Sequence, residues 1–444
     1  MVEQTEILRT VPFKNFSKWD VKRFFIKQIH SSYPVLFLSE LLNEETEKKK
    51  LSKYPEEEFG ILGVSNEIGM FDAYTELGKN INQPYKIVKK DFIAYNPYRV
   101  NVGSIGIKKD SLKNTYISNA YVVFSTKKEL LPDYLFLLMH TEKFNQLIKD
   151  NTTGSVRQTL SFENLCKITV PLPSIDEQKN ILKKYHETIS QAESLEIQAE
   201  ELQTSIQNYF DNQLGITEIN TEFKNGLNFI SFSTMELWSV EKNQNRKIIR
   251  NKKHPVVKLE TLCSVGSGGT PDRSNDSYYK NGNIPWVKTT EVVDDYIYDT
   301  EEKITQKGLE NSSAKIYEKD SLIIAMYGQG KTRGRTAKLN IAASTNQACA
   351  VLYDIDNKRV LTDYLWFYFQ NEYERIRELA YGNNQPNLNA GMIKAYPIVL
   401  PLLSVQEVIV NHINQIKSQA KELRSKATEL RVSAKNDFER SVFE

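Results

Sequence analysis

Cysteine is nearly missing from this chain: three in 444 residues, at Cys166, Cys263 and Cys349. Their spacing forms no C-x-x-C pair and no disulfide framework, so the sequence predicts reduced thiols in a cytoplasmic protein. The five histidines (His30, His140, His186, His254 and His412) are scattered and give no metal-ligand spacing. No run of 18 or more apolar residues occurs, which argues against a transmembrane helix. The opening MVEQTEILRT has no apolar stretch of signal-peptide type. Charge of one sign is lacking too: 58 Lys and Arg stand against 56 Asp and Glu, a formal net of +2. That balance is too weak to announce a polyanionic partner by itself.

Catalytic constellations are also absent. No Ser/His/Asp, Cys/His or paired-carboxylate grouping stands out. The Gly-rich stretch Val265-Gly266-Ser267-Gly268-Gly269-Thr270-Pro271 lacks the Gly-Lys-Ser/Thr ending of a phosphate loop. A structural turn and a ligand contact both fit it. Asn96-Pro97-Tyr98 resembles half of the Asn-Pro-Pro-Tyr motif of adenine aminomethyltransferases, whose Asn and prolyl carbonyl hold a flipped base. The second Pro is missing here, and no Gly-rich loop after a strand offers a place for S-adenosylmethionine. The tripeptide reads as a turn.

What the chain does contain, it contains twice. Ile181, Tyr185, Thr188, Ala192, Leu195, Ala199, Leu202 and Ile206 repeat at steps of four and three. Ile409, Ile413, Ile416, Ala420, Leu423, Ala427, Leu430 and Ala434 do the same, each 228 positions later. Each series follows a Leu-Pro step (Leu172-Pro173, Leu400-Pro401) and a Gln at one offset (Gln178, Gln406). Asp133-Tyr134-Leu135 likewise answers Asp363-Tyr364-Leu365. Ser174 with Glu177 forms a capping-box pattern, and Gly215 is a stop signal for a helix ending near Gln213. A helix of roughly 35 to 40 residues spans about 50 to 60 Å. Small residues along the stripe favour close pairing of the two helices within one chain.

The length and the soluble composition, 40% hydrophobic and 26% charged with a mean hydropathy of −0.49, fit two to three domains. The expected layout is a module over 1–172, a helix over 173–214, a linker over 215–234, a second module over 235–400, and a second helix over 401–444. The fold class is α+β: two similar globular modules separated by two long antiparallel coiled-coil helices, with a pseudo-two-fold internal repeat. Within the first module, Val35 to Leu42 opens a strand or a helix. Phe59–Val64 and Tyr121–Phe124 read as buried strands. Tyr134 to Ile148 reads as one helix, and a strand runs through Ile168 and Val170.

The charge is distributed in a way that the net value hides. Ser321–Tyr353 holds no Asp or Glu but contains Lys331, Arg333, Arg335 and Lys338. Phe92–Lys109 is also free of acids and contains Arg99, Lys108 and Lys109. Each acid-free stretch lies mid-module and predicts a local cationic patch. Tyr327-Gly328-Gln329-Gly330-Lys331-Thr332-Arg333-Gly334-Arg335 combines the side chains that bond base edges with those that position on phosphate. Arg99-Val100-Asn101-Val102-Gly103-Ser104 holds a comparable place in the first module. Two polar loops, carrying Arg157 and Gln158 in one and Asn383, Asn384 and Gln385 in the other, fall at equivalent points of the repeat. Each loop alone fits a solvated surface as well as a base reader. Four at matching places favour binding. The candidate DNA contacts are Arg99, Asn101, Ser104, Lys108, Arg157, Gln158, Thr270, Lys288, Tyr327, Gln329, Lys331, Arg333, Arg335, Asn383, Asn384 and Gln385.

With these residues in view, the chain resembles the specificity subunit of type I restriction-modification systems. Tyr95-Asn96-Pro97-Tyr98-Arg99-Val100-Asn101-Val102-Gly103-Ser104-Ile105-Gly106 resembles a stretch of one class of target-recognition domain. Gly268-Gly269-Thr270-Pro271 followed by Gly282-Asn283-Ile284-Pro285-Trp286-Val287 resembles the opening of another. Pro171-Leu172-Pro173-Ser174-Ile175-Asp176-Glu177-Gln178 resembles the start of the central spacer. Gly382-Asn383-Asn384-Gln385-Pro386-Asn387-Leu388 is similar to a further stretch of the family. The second spacer departs from the pattern, with Gln406-Glu407 where Glu-Gln is expected. The first thirty or so residues match the second module only weakly, around Trp19 and Trp238.

The resemblance implies two target-recognition domains, each reading half of a split duplex DNA site, with the helices setting the gap. It implies no catalysis and no cofactor in this chain. The implied partners are two methyltransferase subunits, which use S-adenosylmethionine, and two restriction subunits, which use ATP and magnesium. A helix of about 50 Å would hold two readers roughly one to one-and-a-half DNA turns apart, at about 34 Å per turn. Other readings are a specificity subunit of a related methyltransferase or phage-defence system, a self-contained DNA methyltransferase, and a peptide-binding scaffold.

Overall fold

The computed structural model describes residues 29, 31–66, 68–100, 103–151, 159–220, 247–251, 253–328, 330–380 and 387–444. The chain forms two compact units. The first is Met1–Glu196 with Ser425–Glu444, and the second is Ile197–Arg424. Two long helices, Ile175–Leu214 and Leu403–Phe443, each contribute a stretch to both units.

The first unit is built on an antiparallel sheet ordered Leu42–Glu44, Val122–Thr126, Ile93–Tyr95, Ile105–Ile107. The second repeats it as Ser264–Ser267, Cys349–Tyr353, Leu322–Ala325, Thr336–Leu339, and adds Tyr296–Ile297 in parallel at the edge. In each unit a short antiparallel pair joins the module's entry to its exit, Val35–Phe37 with Thr169–Pro171 and Val256–Lys258 with Pro397–Val399. The expected strand Phe59–Val64 lies within Glu58–Ser65, and the expected strand Tyr121–Phe124 overlaps Val122–Thr126, which starts one residue later and ends two residues later.

The two units part company outside that shared sheet. The first adds a five-stranded sheet dominated by the hairpin Glu58–Ser65 and Gly69–Leu77. The second adds a three-stranded sheet around Ile284–Val287, with Trp286 buried at its centre. Here the Gly-rich turn finds its reason. The Trp286 indole donates to the Gly269 carbonyl at 2.9 Å, and a Cβ on Gly268 would run into the Thr345 carbonyl. The structural-turn reading of those glycines is the one the packing requires.

The helices carry their small and apolar stripe inward. Ala192, Ala199 and Ala427 are fully buried, as are Ile409 and Ile413. Within the first unit Tyr185 meets Phe438 and Glu196 pairs with Arg431. Within the second, Glu200 pairs with Arg424 and Tyr209 meets His412. In both cases one number rises while the other falls, so the paired stretches run antiparallel. The tail of each helix seals a module core. Phe438 packs on Tyr134 with ring centres 5.9 Å apart, and Phe210 packs on Tyr364 at the same 5.9 Å.

Two local expectations need correction. Tyr134–Ile148 is not one helix but two, Pro132–Met139 and Glu142–Asn151. Thr141 makes the break: its hydroxyl donates to the Leu138 carbonyl and accepts from the Phe144 N–H, so it ends one helix and caps the next. The stretch read as a linker from 215 begins instead with strand Ile216–Asn220, paired to Lys247–Asn251, and 221–234 lies outside the described residues. Val35–Leu42 opens as a strand, Val35–Phe37, one of the two forms expected of it, and continues as the short helix Leu38–Leu41. The capping box at Ser174–Glu177 forms in both directions, and Gly215 follows the first long helix at φ 67. No helix among the described residues is long and apolar enough to cross a membrane.

Candidate nucleic-acid interface

In each unit one hydrogen bond joins two of the loops singled out by sequence. The Leu160 N–H, just after the loop at 152–158, donates to the Pro97 carbonyl at 3.1 Å. The Leu388 N–H, just after the loop at 381–386, donates to the Met326 carbonyl at 3.1 Å. The folding chain therefore brings the flank of each polar loop onto the cationic loop of its own unit. The interiors of the polar loops, with Arg157, Gln158, Asn383, Asn384 and Gln385, lie outside the described residues, as do Asn101 and Gln329.

In the first unit, Arg99 and Tyr98 are exposed at the turn after strand Ile93–Tyr95. The Asn96 side-chain oxygen accepts from the Tyr98 N–H at 3.0 Å. The acceptors that an aminomethyltransferase would turn towards a base are thus engaged inside the fold, at Asn96 and at the Pro97 carbonyl. Ser104 and Lys108, two candidate contacts, are buried. The Ser104 hydroxyl donates to the Val64 carbonyl at 3.2 Å. The Lys108 ammonium caps the Leu112 and Asn114 carbonyls, and burial lowers its pKa. Lys109 forms an ion pair with Asp133.

In the second unit, Tyr327, Lys331, Arg333 and Arg335 share one loop. Tyr327 and Lys331 are exposed, and Arg333 and Arg335 are partly buried. Its shape is held by helix Tyr373–Glu378. The Tyr373 hydroxyl donates to the Lys331 carbonyl at 2.7 Å, and the Arg377 guanidinium donates to the carbonyls of Arg333 (2.7 Å) and Gly330 (2.9 Å). Burial, with Arg377 beside it, pulls the Arg333 pKa down. Arg335 pairs with Asp294 at 3.4 Å. Lys338 pairs with Asp363 at 2.7 Å and Asp320 at 3.2 Å; burial opposes its charge, and those carboxylates overcome the burial and raise its pKa.

Two more candidates are occupied by the protein itself. The Thr270 hydroxyl bonds the Gln347 side chain. Lys288 bridges Glu301 at 2.8 Å and Glu302 at 3.0 Å, and hydrogen bonding to these acids raises its pKa. Arg273, which sequence reading passed over, also pairs with Glu302 and lies over the rings of Tyr279 and Trp286 at 4.7 Å each. Tyr373, Arg377 and Asp294 were missed as well. Their only sequence signal was ordinary: charged or aromatic residues on a helix, or an acid in a turn. Among the described residues no group of His, Cys, Asp and Glu could hold a metal ion.

On these loops the exposed side chains are Tyr98 and Arg99 in the first unit and Tyr327 and Lys331 in the second, among the described residues. Comparison with known proteins places the chain in a family. The type I restriction modification DNA specificity domain matches residues 37–203 and again 251–429. The MjaIX type I restriction enzyme specificity subunit of Methanocaldococcus jannaschii is 22% identical over 317 residues, 68% of this chain and 66% of that protein's length. The EcoR124I/EcoR124II specificity subunit of Escherichia coli is 21% identical over 291 residues, 61% of this chain and 71% of its own. A solved chain from work on complex assembly and conformational transition of the type I restriction-modification system shares the fold. It covers 94% of this chain and 98% of its own at 14% identity, with a TM-score of 0.61. The chain belongs to the type I restriction-modification DNA specificity family, and it carries that family's domain twice.

Proposed function

We propose that this chain is the non-catalytic, sequence-recognising subunit of a cytoplasmic type I restriction-modification complex. Each unit reads one half of a bipartite duplex site. The long helices set the gap and dock methyltransferase subunits. Two methyltransferase subunits bring S-adenosylmethionine, and two restriction subunits bring ATP and magnesium. With a net charge of only +2, this chain leaves much of the phosphate neutralisation to those partners.

The observation that carries the reading is the matched pairing of loop flanks in units that share a sheet but differ around it. Pro97–Leu160 and Met326–Leu388 are one arrangement twice. The side chains around them differ, so the two half-sites should differ. Arg99, Asn101, Arg157 and Gln158 are the contacts proposed for one half. Tyr327, Gln329, Lys331, Arg333, Arg335, Asn383, Asn384 and Gln385 are those for the other. Ser104 and Lys108 support the first unit's loop from within, and Thr270 and Lys288 are engaged by Gln347 and by Glu301 and Glu302.

Single-molecule methylome sequencing of the host, with and without this gene, tests the proposal. A split motif methylated on adenine in both halves should vanish on deletion. A methylome unchanged by deletion, with the methyltransferase partner expressed, would overturn it.

A further inference from the structure

Arg335 is held by only one edge. Its Nε faces the Asp294 carboxylate at 3.4 Å, and among the described residues no other side chain is recorded on its guanidinium. About a third of the side chain is exposed. Asp294 is itself fixed from three directions. Its Oδ1 accepts from the Thr336 N–H at 2.9 Å and from the Thr336 hydroxyl at 3.0 Å. Its N–H donates to the Thr336 carbonyl at 2.7 Å. Its carbonyl accepts from the Gln370 amide at 3.3 Å, and the Lys417 ammonium in turn donates to that amide's oxygen at 2.6 Å. These bonds hold Asp294 in the left-handed region, at φ 65, which Asp and Asn tolerate better than most residues.

An arginine paired through Nε leaves its two terminal amino groups to meet a partner as a planar fork. That fork matches the O6 and N7 acceptors of guanine in the major groove. The neighbouring carboxylate also offsets the charge that would draw the group to a phosphate. Holding the side chain beforehand removes part of the ordering cost on binding.

We infer that Arg335 reads a guanine in the half-site of the second unit, and that Asp294 is the residue that positions it. The inference rests on the DNA-reading role proposed above and names one base within it.

The test uses the intact complex, expressed with its own methyltransferase in a methylation-free host, and reads the methylated motif. Asp294→Asn keeps an acceptor for Thr336 and a residue that tolerates positive φ, but removes the charge facing Arg335. Melting of the complex should stay the same. Preference for guanine at one position of one half-site should fall roughly tenfold or more, the scale of a lost bidentate contact. Arg335→Ala and Arg335→Lys should relax the same position, and the other half-site should not change. A motif unchanged in Asp294→Asn and Arg335→Ala overturns the inference, as does uniform loss at every position or relaxation at a base other than guanine. A wild-type complex that yields no split motif instead removes the DNA-reading role itself.

Discussion

Gln178 and Gln406 make the same three hydrogen bonds in the two units. The Gln178 amide donates to the Glu129 and Pro173 carbonyls, both at 2.9 Å, and its oxygen accepts from the Leu131 N–H at 2.8 Å. The Gln406 amide donates to the Arg359 and Pro401 carbonyls at 3.0 and 2.8 Å, and its oxygen accepts from the Leu361 N–H at 2.8 Å. Both side chains are wholly buried. Each glutamine locks the start of a long helix to the loop before its module's helix. The Gln-Glu order that departs from the family pattern at Gln406 leaves this lock intact.

Replacing either glutamine with Ala strands one N–H and two carbonyls in a buried place. At about 1–3 kcal/mol for each buried group left unbonded, Gln178→Ala should destabilise the first unit by about 3 kcal/mol or more. Gln406→Ala should do the same to the second. Limited proteolysis with fragment mapping checks this: cleavage should open in the unit that carries the change. Equal opening of both units would contradict separate locks.

Removing residues 435–444 should unfold the first unit, not the second. Phe438, Val442 and Phe443 belong to the core that holds Tyr134, Leu135 and Phe144. The Val442 carbonyl also accepts from the Ser31 hydroxyl at 2.6 Å. Deleting one buried Phe typically costs about 3–5 kcal/mol, enough to consume much of a unit's stability. Trypsin should then digest the far end of the sequence, around residues 35–170, and spare 256–400. Preferential digestion of 256–400 would refute the assignment.

Inserting one heptad into the first long helix should lengthen the unread gap of the methylated motif and leave both halves readable. Seven residues add about 10 Å of helix, roughly three base pairs. The methylome of the insertion strain gives the answer. A gap of unchanged length would mean that the helices do not set the separation.

Lys417 gives a pH signature. Burial pulls its pKa down to about 8, against the opposing pull of Asp294, Asp295 and Asp363. Its ammonium lies 4.4 Å from the Phe367 ring centre. Below about pH 8 the lysine is charged in folded and unfolded chains alike, and the folded state bears the burial cost. Between about 8 and the ordinary lysine value the folded chain releases a proton that the unfolded chain keeps, so stability rises with pH. The melting temperature of the wild type, relative to Lys417→Met, should therefore climb from pH 7.5 to 9.5. The full span corresponds to about 3 kcal/mol at most. A flat or falling difference would show that Lys417 is not depressed.

Much of this protein could be read along one dimension. The heptad stripe gave both long helices, because an apolar residue every three or four positions has one face to bury. The capping box and Gly215 marked the ends of the first helix, because caps are local chemistry. The four loops at matching places were visible as composition: no acids in two of them, and polar runs at equal offsets.

The single helix read at Tyr134–Ile148 failed at Thr141, where a side chain bonds backbone on both sides. The strand at Ile216 was hidden because its partner lies some thirty residues on. Residue type could not separate Arg99, left at the surface, from Lys108, turned inward onto two carbonyls. Both are cations in one acid-free stretch. Which way each points depends on where Asn114 and Leu112 end up. Nor could sequence find Tyr373, Arg377 and Asp294, which touch the cationic loop from distant positions.

Periodicity, capping and duplication are properties of neighbours along the chain, so the sequence by itself determined the repeat and the helices, while the pairing of the loop flanks came from the fold. The aim of each charged group depends on contacts between residues far apart in sequence. Only the tertiary structure decided that Arg335 stands braced by Asp294 while Lys288 lies locked between Glu301 and Glu302.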